Sequence, residues 1–572
     1  MTRFTKLLLI VAVAAACPFA IAEEGDTTAE VEIGFRDTDV TDSPALAGEY
    51  EPVEDEPVFG IMVSTHQDWG TFLVEFESAH PDDMDASVEF DIHRTVRSHT
   101  SYTSLLHRLG HDPLSNLAAT STNGKVVLHS DFDPGADYGF SYSDLSHRTE
   151  LQFPGASALT LAVGYREQGR EGKLQALSTS HCDTCHIKSQ THLLDEETTD
   201  GTLEAKVAWR GGSLTGSATT REHRQRFPFV LMQYDDALHP ELQVPVFDNR
   251  LQYDSDVGPV PADLWPEIDK DTARLDLELH DVAGFAVAGG AVWSETENRY
   301  NGLSSDYQGY MLNAARRFDN GIRLRWRGRV YSIDNDDVFI DTIERVSIAG
   351  PHAGQTYEDI YGVNYDHWRY SALNRDVAES KLDASYRFGR VAGTLRALWE
   401  FETTDRDTYE VLPGETETTR NILGVSWRSR PSSMWRVDAS LRHAEIDNPF
   451  MLVNGGCSTL VSGQYPNPWD PETPQYDEFH EARIAETTAS PSSWDELKAG
   501  VTALLGGSTL SATYRWWDGD NSDGDLTDWS RTAQTGTLTY WTAPAPDWEL
   551  FLAYAWQQSE LQAPACIPIF DG

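Results

Sequence analysis

Two cysteines and a histidine at close spacing could carry redox chemistry. Cys182, Cys185 and His186 form a Cys-x-x-Cys-His run, the spacing at which two thiols add to the vinyl groups of a c-type haem. The adjacent imidazole then lies where the proximal iron ligand is needed. The simpler alternative is a disulfide or a free thiol pair beside a surface histidine. Zinc is disfavoured because no second cysteine pair lies nearby.

The second axial ligand of such a haem c is not fixed by the sequence. His192 follows His186 by six residues, and it is the residue that we name as a candidate distal ligand. His147 and His223 could approach only through folding. Another residue in the sixth position, or an open iron site, is the alternative.

Two further cysteines, Cys457 and Cys566, stand apart from this motif in polar segments that we expect to be long loops. Loops of an exported protein lie in an oxidising compartment, where disulfides persist. We therefore expect a disulfide between Cys457 and Cys566, unless either cysteine pairs with a residue beyond the sequence.

Four aspartates, Asp518, Asp520, Asp523 and Asp525, give the segment around them a composition that resembles a calcium-binding loop. The run lacks the bidentate glutamate that such a loop places at its end. One expectation is a bound Ca²⁺, and the other is an ordinary acidic segment at the end of a strand.

The first 22 residues predict a bacterial secretory signal peptide. A basic start precedes an apolar run over 7–16 and a small-x-small cleavage site at 20–22. A lipoprotein signal that uses Cys17 is the alternative, which the proline after it disfavours. We expect the mature chain to begin at Glu23 in the cell envelope, where c-type haem is attached. Beyond the signal, no apolar run approaches the roughly 18 residues that a transmembrane helix needs.

The composition suits an outer-membrane barrel as well as a soluble protein of several domains. The chain has 572 residues, of which 11% are aromatic, and a formal net charge of −47. Such acidity argues against nucleic acid as a partner. The sequence has no Gly-rich phosphate loop, and no spacing singles out a catalytic pair of carboxylates. We therefore expect a protein that is not an enzyme.

Apolar and polar residues alternate with a period of two along much of the chain, which predicts strands. Within 321–330 one face carries four arginines: Arg323, Arg325, Arg327 and Arg329. Five other segments repeat the alternation: 203–210, 273–280, 381–388, 435–442 and 510–516. In a barrel the arginines would line the lumen. There they could hold haem propionates or an acidic partner surface, or form a solvated wall that is paired with acidic neighbours.

Tight turns and long connections alternate along the sequence. Turns at 319–321, 389–390 and 506–507 join strands into hairpins, and polar connections separate the hairpins at about 227–271, 335–375 and 448–492. Short periplasmic turns and long extracellular loops are the outer-membrane pattern. The N-terminal part is less regular, with strands expected at 57–66, 70–78, 86–96 and 123–133.

We therefore expect an all-β fold, with one large antiparallel transmembrane β-barrel of about 22 or more strands over residues 23–572. A soluble multi-sheet protein is the alternative. Residues 561–572 form a tail in a long-loop position, whereas a bacterial barrel ends on a strand that returns to the periplasm. Because an open barrel leaves unpaired backbone groups in lipid, we expect the sequence to lack one or more C-terminal strands, with closure elsewhere as the alternative.

The signal, the strands and the Cys-x-x-Cys-His run together resemble the outer-membrane β-barrel component of porin–cytochrome conduits. The likeness is to a sub-branch that carries its own haem motif, and it extends from segment 30–36 over most of the mature chain. It implies a sheath in outer-membrane lipid around multihaem c-type cytochromes, which conduct electrons across the membrane. In the better-known metal-reducing branch, the cysteine pair lies soon after the signal and carries no haem. Here the pair lies about 160 residues into the mature chain and a histidine follows.

The leading interpretation is an electron-transfer component of the bacterial outer membrane with one covalent haem c. A passive porin whose cysteine pair is structural is the first alternative. A soluble envelope cytochrome built on a β-sandwich is the second.

Overall fold

The structure of the chain is a computed structural model. Long strands dominate the residues that it describes. It describes residues 26–40, 45, 48–50, 55–80, 82–114, 129–179, 187–232, 247–248, 259–340, 346–347, 350–356, 359, 367–369, 371, 373–389, 391–406, 417–449, 465–466, 474–475, 491–521, 529–545 and 548–563. Among these residues, no helix is long and apolar enough to cross a membrane. The predicted signal peptide, the Cys-x-x-Cys-His motif and the Cys457–Cys566 pair lie outside the described residues.

The strands of the N-terminal half, in chain order, are β1 (Asp26–Arg36), β2 (Glu56–Gln67), β3 (Gly70–His80), β4 (Asp83–Ile92), β5 (Val96–Leu109), β6 (His129–Asp131), β7 (Tyr138–Phe153), β8 (Ala156–Thr179), β9 (Ile187–Trp209), β10 (Gly212–Gln225), β11 (Val230–Met232), β12 (Phe247–Asp248), β13 (Val260–Ala262), β14 (Ile268–Val282) and β15 (Phe285–Asn298).

The strands of the C-terminal half are β16 (Leu303–Arg317), β17 (Ile322–Asn335), β18 (Val338–Ile340), β19 (Val346–Ser347), β20 (His367–Arg369), β21 (Arg375–Gly389), β22 (Gly393–Asp405), β23 (Thr418–Ser429), β24 (Trp435–Asp447), β25 (Tyr465–Pro466), β26 (Pro474–Gln475), β27 (Ser493–Leu504), β28 (Ser508–Asn521), β29 (Trp529–Ala545) and β30 (Trp548–Gln562). A 3-10 turn spans Gly350–His352.

Twenty-two of these strands belong to one sheet, and the other eight form four two-stranded sheets. Long strands pair antiparallel, as β8 does with β7 and β9, whereas the short β6 pairs parallel with β9. The predicted all-β fold, with a large antiparallel sheet of this size, is therefore confirmed.

One predicted strand, over 86–96, is two strands in the structure, β4 and β5. Between them His93 and Arg94 have φ values of 49° and 57°, the left-handed values of a tight hairpin turn. Asn and Gly are the residues that ordinarily signal such a turn, so the residue types at 93–94 do not predict it. Of the predicted strand 123–133, the described residues 129–131 form β6.

The chain divides into two compact units. Unit 1 comprises residues 1–275, 294–304 and 342–365, and unit 2 comprises residues 276–293, 305–341 and 366–572. The sequence predicts one domain from residue 23. A division can arise because each long strand contacts mainly the strands beside it.

In unit 1 the strand registers place apolar side chains on one face of the sheet. Val31 lies opposite Ile61, and Ile61 lies opposite Phe76. A buried cluster continues this face across β3 to β5, with the members Phe72, Ala86, Val88 and Tyr102. The alternation that the sequence shows in single strands is thus aligned from strand to strand.

In unit 2 the same alignment runs across seven strands, from β17 to β28. One row of facing residues on its apolar side is Leu324, Ala384, Ala397, Val425, Leu441, Leu497 and Trp516. Protein atoms leave much of this face uncovered: Leu441 is 61% exposed, Leu423 56% and Val425 51%. We call it the apolar belt of unit 2.

The opposite face of unit 2 is polar and is crossed by ion pairs between neighbouring strands. Guanidinium and carboxylate groups lie 2.6 Å apart in Arg420–Glu402, 2.7 Å in Arg515–Glu496 and 3.2 Å in Arg329–Glu379. The four arginines of β17 lie on this face, since Arg325 faces Asp383 and Arg327 faces Lys381.

Candidate functional site

The hairpin of β8 and β9 flanks the Cys-x-x-Cys-His motif and is the candidate functional site. Its strands have 24 and 23 residues, and they pair in register until Thr179 faces Ile187. The connection 180–186 therefore starts and ends at facing residues, and His186 immediately precedes β9.

Only the first part of this hairpin continues the apolar face of unit 1. Up to Tyr165 that face of β8 carries Leu159, Leu161 and Val163. Beyond Tyr165 the same side of the strand turns polar, with Glu167, Glu171 and Lys173. At a rise of roughly 3.3 Å per residue, the end of β8 lies about 46 Å along the strand from Tyr165. The end of β8, from which the connection with the motif starts, thus lies far beyond the apolar segment.

The other side of this outer part of the hairpin is buried. On β9, Lys188, His192, Leu194 and Glu196 expose between 0 and 6% of their surface. Buried polar groups of this kind need partners, and the described residues supply them in two networks, one around His192 and one around the start of β9.

His192 is fully buried and both of its ring nitrogens are bonded. Nδ1 lies 2.9 Å from a carboxylate oxygen of Asp263, and Nε2 lies 2.7 Å from the carbonyl oxygen of Phe227. The ring also contacts Trp265, with centroids 5.3 Å apart. Neither nitrogen is free to bind iron unless a bond breaks, so the assignment of His192 as the distal haem ligand does not match this geometry.

Arg170 on β8 joins the same network from the neighbouring strand. Its Nε donates to Glu196 at 2.5 Å, and its guanidinium lies over the rings of Phe140 and Trp265, at 5.6 and 5.4 Å. Glu196 also accepts from the side-chain amide of Gln225 at 2.5 Å. A buried carboxylate with a guanidinium partner stabilises the hairpin where its sheet leaves the apolar segment.

The second network holds the start of β9, close to the motif. Asp131 on β6 accepts hydrogen bonds from Ser189 Oγ at 2.8 Å and from the backbone of Asp133 at 3.1 Å, and lies 2.7 Å from His111 Nε2. Burial raises the pKa of Asp131, but these hydrogen bonds outweigh it, so the pKa lies below its ordinary value. Asp133 accepts from the backbone of Thr191 at 2.8 Å.

Sequence reasoning missed Asp131, His111, Arg170 and Glu196. No local spacing marks them, because each contact joins residues that are 20 or more positions apart in the sequence: His111 with Asp131, and Arg170 with Glu196. Because these side chains bond to one another and not to a ligand, their role is to fix the position of the hairpin. In the part of the chain that the structure describes, no three His, Cys, Asp or Glu side chains gather as they would around a metal.

The remaining predicted site residues are dispersed. On β17, Arg327 donates to Asn313 at 2.9 Å, and Arg329 pairs with Glu379 and lies 4.4 Å from the ring centroid of Tyr331. Of the suggested calcium ligands, Asp518 accepts from Thr532 and Asp520 from Ser493, while Asp523 and Asp525 lie outside the described residues.

Comparison with known proteins gives only weak structural likeness. No family model and no curated protein matches the sequence. The siderophore receptor PiuA from Acinetobacter baumannii aligns with 92% of this chain and 76% of its own, with a TM-score of 0.41 and 10% identity. The FrpB iron transporter from Neisseria meningitidis aligns with 86% of this chain and 72% of its own, with a TM-score of 0.41 and 9% identity. The alcaligin receptor FauA from Bordetella pertussis covers 85% and 68%, with a TM-score of 0.40 and 11% identity.

Proposed function

We propose that this chain is an outer-membrane β-barrel that carries one covalent haem c between β8 and β9 and transfers electrons across the bacterial envelope. The observation that carries the proposal is the motif itself. Two thiols and an imidazole follow one another, at Cys182, Cys185 and His186, in a connection whose two ends are paired in register.

The exposed belt of unit 2 supports a location in lipid. Large contiguous apolar surfaces are rare on monomeric soluble proteins, whereas a barrel strand turns its apolar side to lipid and its polar side to the lumen. Leu441, at 61% exposure, and the ion-paired face behind it fit that division. Short turns such as 504–508 alternate with long connections such as 447–493, which is the outer-membrane pattern.

The residues of the connection fit a covalently held haem. The sequence places both thiols in one short connection and fixes His186 next to the first residue of β9. A c-type haem supplies one-electron transfer at its iron when bound. The contribution of the described residues is positional, because the Asp131 and Glu196 networks hold the strands on which the connection depends.

The position of the connection also suggests where the electron leaves. The β8–β9 connection lies at the end of the strands opposite the short turns 153–156 and 209–212, and in bacterial barrels the short turns face the periplasm. We infer that the haem lies on the outer side, beyond the membrane rather than within the lumen. A multihaem c-type cytochrome, housed in or docked on the barrel, is the proposed electron partner.

The proposal is tested by a haem-peroxidase stain of the denatured protein, expressed with a c-type maturation system. We expect stain at the mature mass, and no stain in the C182A/C185A double variant. The matched control is C457A/C566A, which removes two thiols elsewhere and should leave the stain intact. A matured, membrane-inserted protein that does not stain would contradict the haem assignment.

A passive porin with a structural cysteine pair is the second candidate, and the polar, ion-paired face of unit 2 favours it. The same stain separates the two functions, since a porin needs no haem. If the protein is a passive porin, the haem-free C182A/C185A variant should have the same conductance in planar bilayers as the unaltered protein.

A further inference from the structure

A cleft on the polar face of unit 2 collects arginines at the end where its hairpins turn. The cleft has a volume of about 750 Å³, and six guanidinium groups line it: Arg317, Arg323, Arg387, Arg428, Arg430 and Arg436. Asp438 is the one carboxylate among its lining residues. This concentration of positive charge stands in a chain that has 91 acidic and 44 basic residues.

The six cleft arginines differ from several other arginines on the same face in that they form no ion pairs with described residues. Away from the cleft, Arg420, Arg442 and Arg515 each lie within 3.4 Å of a carboxylate. Within the described residues, none of the six cleft arginines forms an ion pair. Several arginines on this face are therefore neutralised in ion pairs, whereas in the described chain the six arginines of the cleft are not; Arg327, outside the cleft, is bonded to the neutral Asn313.

The register brings like charges together there. Arg317 faces Arg323 directly across the β16–β17 pair, an arrangement that destabilises a sheet when nothing neutralises it. Elsewhere in the lining, Arg430 donates through Nη2 to the carbonyl oxygen of Ser433 at 3.1 Å, but its Nε atom is buried and has no hydrogen-bond partner among the described residues. Burying a donor without a partner costs free energy. An oxyanion in the cleft would neutralise the facing arginines and could accept a hydrogen bond from Arg430.

We propose that this cleft binds a small molecule that carries two or more oxyanion groups, either phosphates or carboxylates. Arginine forks bind both groups through paired N–H···O bonds. The volume is that of a small-molecule pocket. Since the cleft lies beside the short turns, the ligand would meet it from the periplasmic end. This site does not depend on the proposed haem.

The test is calorimetric titration of the full chain in detergent, with inorganic pyrophosphate, citrate and acetate as the probes. We expect pyrophosphate or citrate to bind at least ten times more tightly than acetate, and the tighter of the two identifies phosphate or carboxylate as the natural chemistry. Higher salt should weaken binding, as it does for ion pairs that water can reach.

Variants locate the site. R323Q/R428Q should raise the dissociation constant at least tenfold, whereas R327Q, on the same face of β17 but bonded to Asn313, should leave it unchanged. R323K/R428K keeps the charge and should retain part of the affinity, which separates lost binding from misfolding. No binding of pyrophosphate or citrate, or equal binding by R323Q/R428Q and R327Q, would overturn the proposal.

Discussion

A polar side chain can bind a ligand only where its polar atoms are not already bonded within the protein. His192 has the residue type and the spacing of an iron ligand, yet its two nitrogens hold Asp263 and the carbonyl of Phe227. Arg323 shows the opposite case, since it lines a cleft without a counter-ion in the described chain. The residue type suggests a functional role, but the hydrogen-bond partners of the side chain determine whether it can have that role.

Replacing His192 by alanine should destabilise the outer part of the hairpin by about 2–3 kcal/mol, because it leaves a buried carbonyl unpaired and opens a cavity. The measurement is the free energy of local opening from hydrogen exchange of the β9 amides. H99A is the control, because His99 is 49% exposed in its pair with Glu89. If H192A and H99A lose equal stability, the buried network does not hold the hairpin.

The Asp131 network predicts a pH dependence. The pKa of Asp131 is lower in the folded protein than the roughly 3.9 of an unfolded aspartate. Its contribution to stability is therefore fully present above about pH 4 and is lost as the pH falls through the lower, folded value. Protection factors of the amides at 187–191 should fall as the pH drops below about 4, and D131N should remove that step. An unchanged step in D131N would assign it to another group.

At this scale the sequence predicts the motif Cys182-x-x-Cys185-His186 and the shared face of the β17 arginines, because both follow from local spacing. It does not predict the contact of His111 with Asp131 or the gathering of Arg317 with Arg428 in one cleft. Those depend on strand register, which many distant residues set together.

At the scale of the elements, glycine makes one hairpin turn possible. Gly393 begins β22 with φ at +83°, and a Cβ there would lie 2.1 Å from the carbonyl oxygen of Arg428. Only glycine fits such a position. The sequence predicts a turn at 389–390, and in the structure β21 ends at Gly389 and β22 begins at Gly393. The β4–β5 turn, formed by His93 and Arg94, carries no such signal.

The apolar belt gives a prediction that depends on its surroundings. L441R should cost about 2–4 kcal/mol in a bilayer, because it places a charge on the lipid side of a barrel strand. The neighbouring S440R, on the polar face, should cost far less. Denaturant unfolding from lipid vesicles gives both free energies. If the belt faced water, L441R would change stability by less than about 0.5 kcal/mol, since Leu441 is 61% exposed.

At the scale of the whole molecule, the period-two pattern was sufficient to predict the fold class, because an antiparallel sheet repeats one local rule. The sequence alone does not show how far the β8–β9 hairpin extends past its apolar part, because charged residues such as Glu167, Glu171 and Lys173 then interrupt the apolar side and the alternation weakens. That extension separates the haem motif from the apolar segment by about 46 Å along the strand. It is the reason for placing the proposed electron exit outside the membrane.

The most direct test of the central claim is the intact mass of the protein extracted from outer membranes of a host that matures c-type haem. We expect the mass of the mature chain plus one haem group, and the mass of the chain alone in C182A/C185A. A membrane-extracted chain without the added mass, in a host that attaches haem to a control cytochrome, would contradict the proposed electron-transfer function.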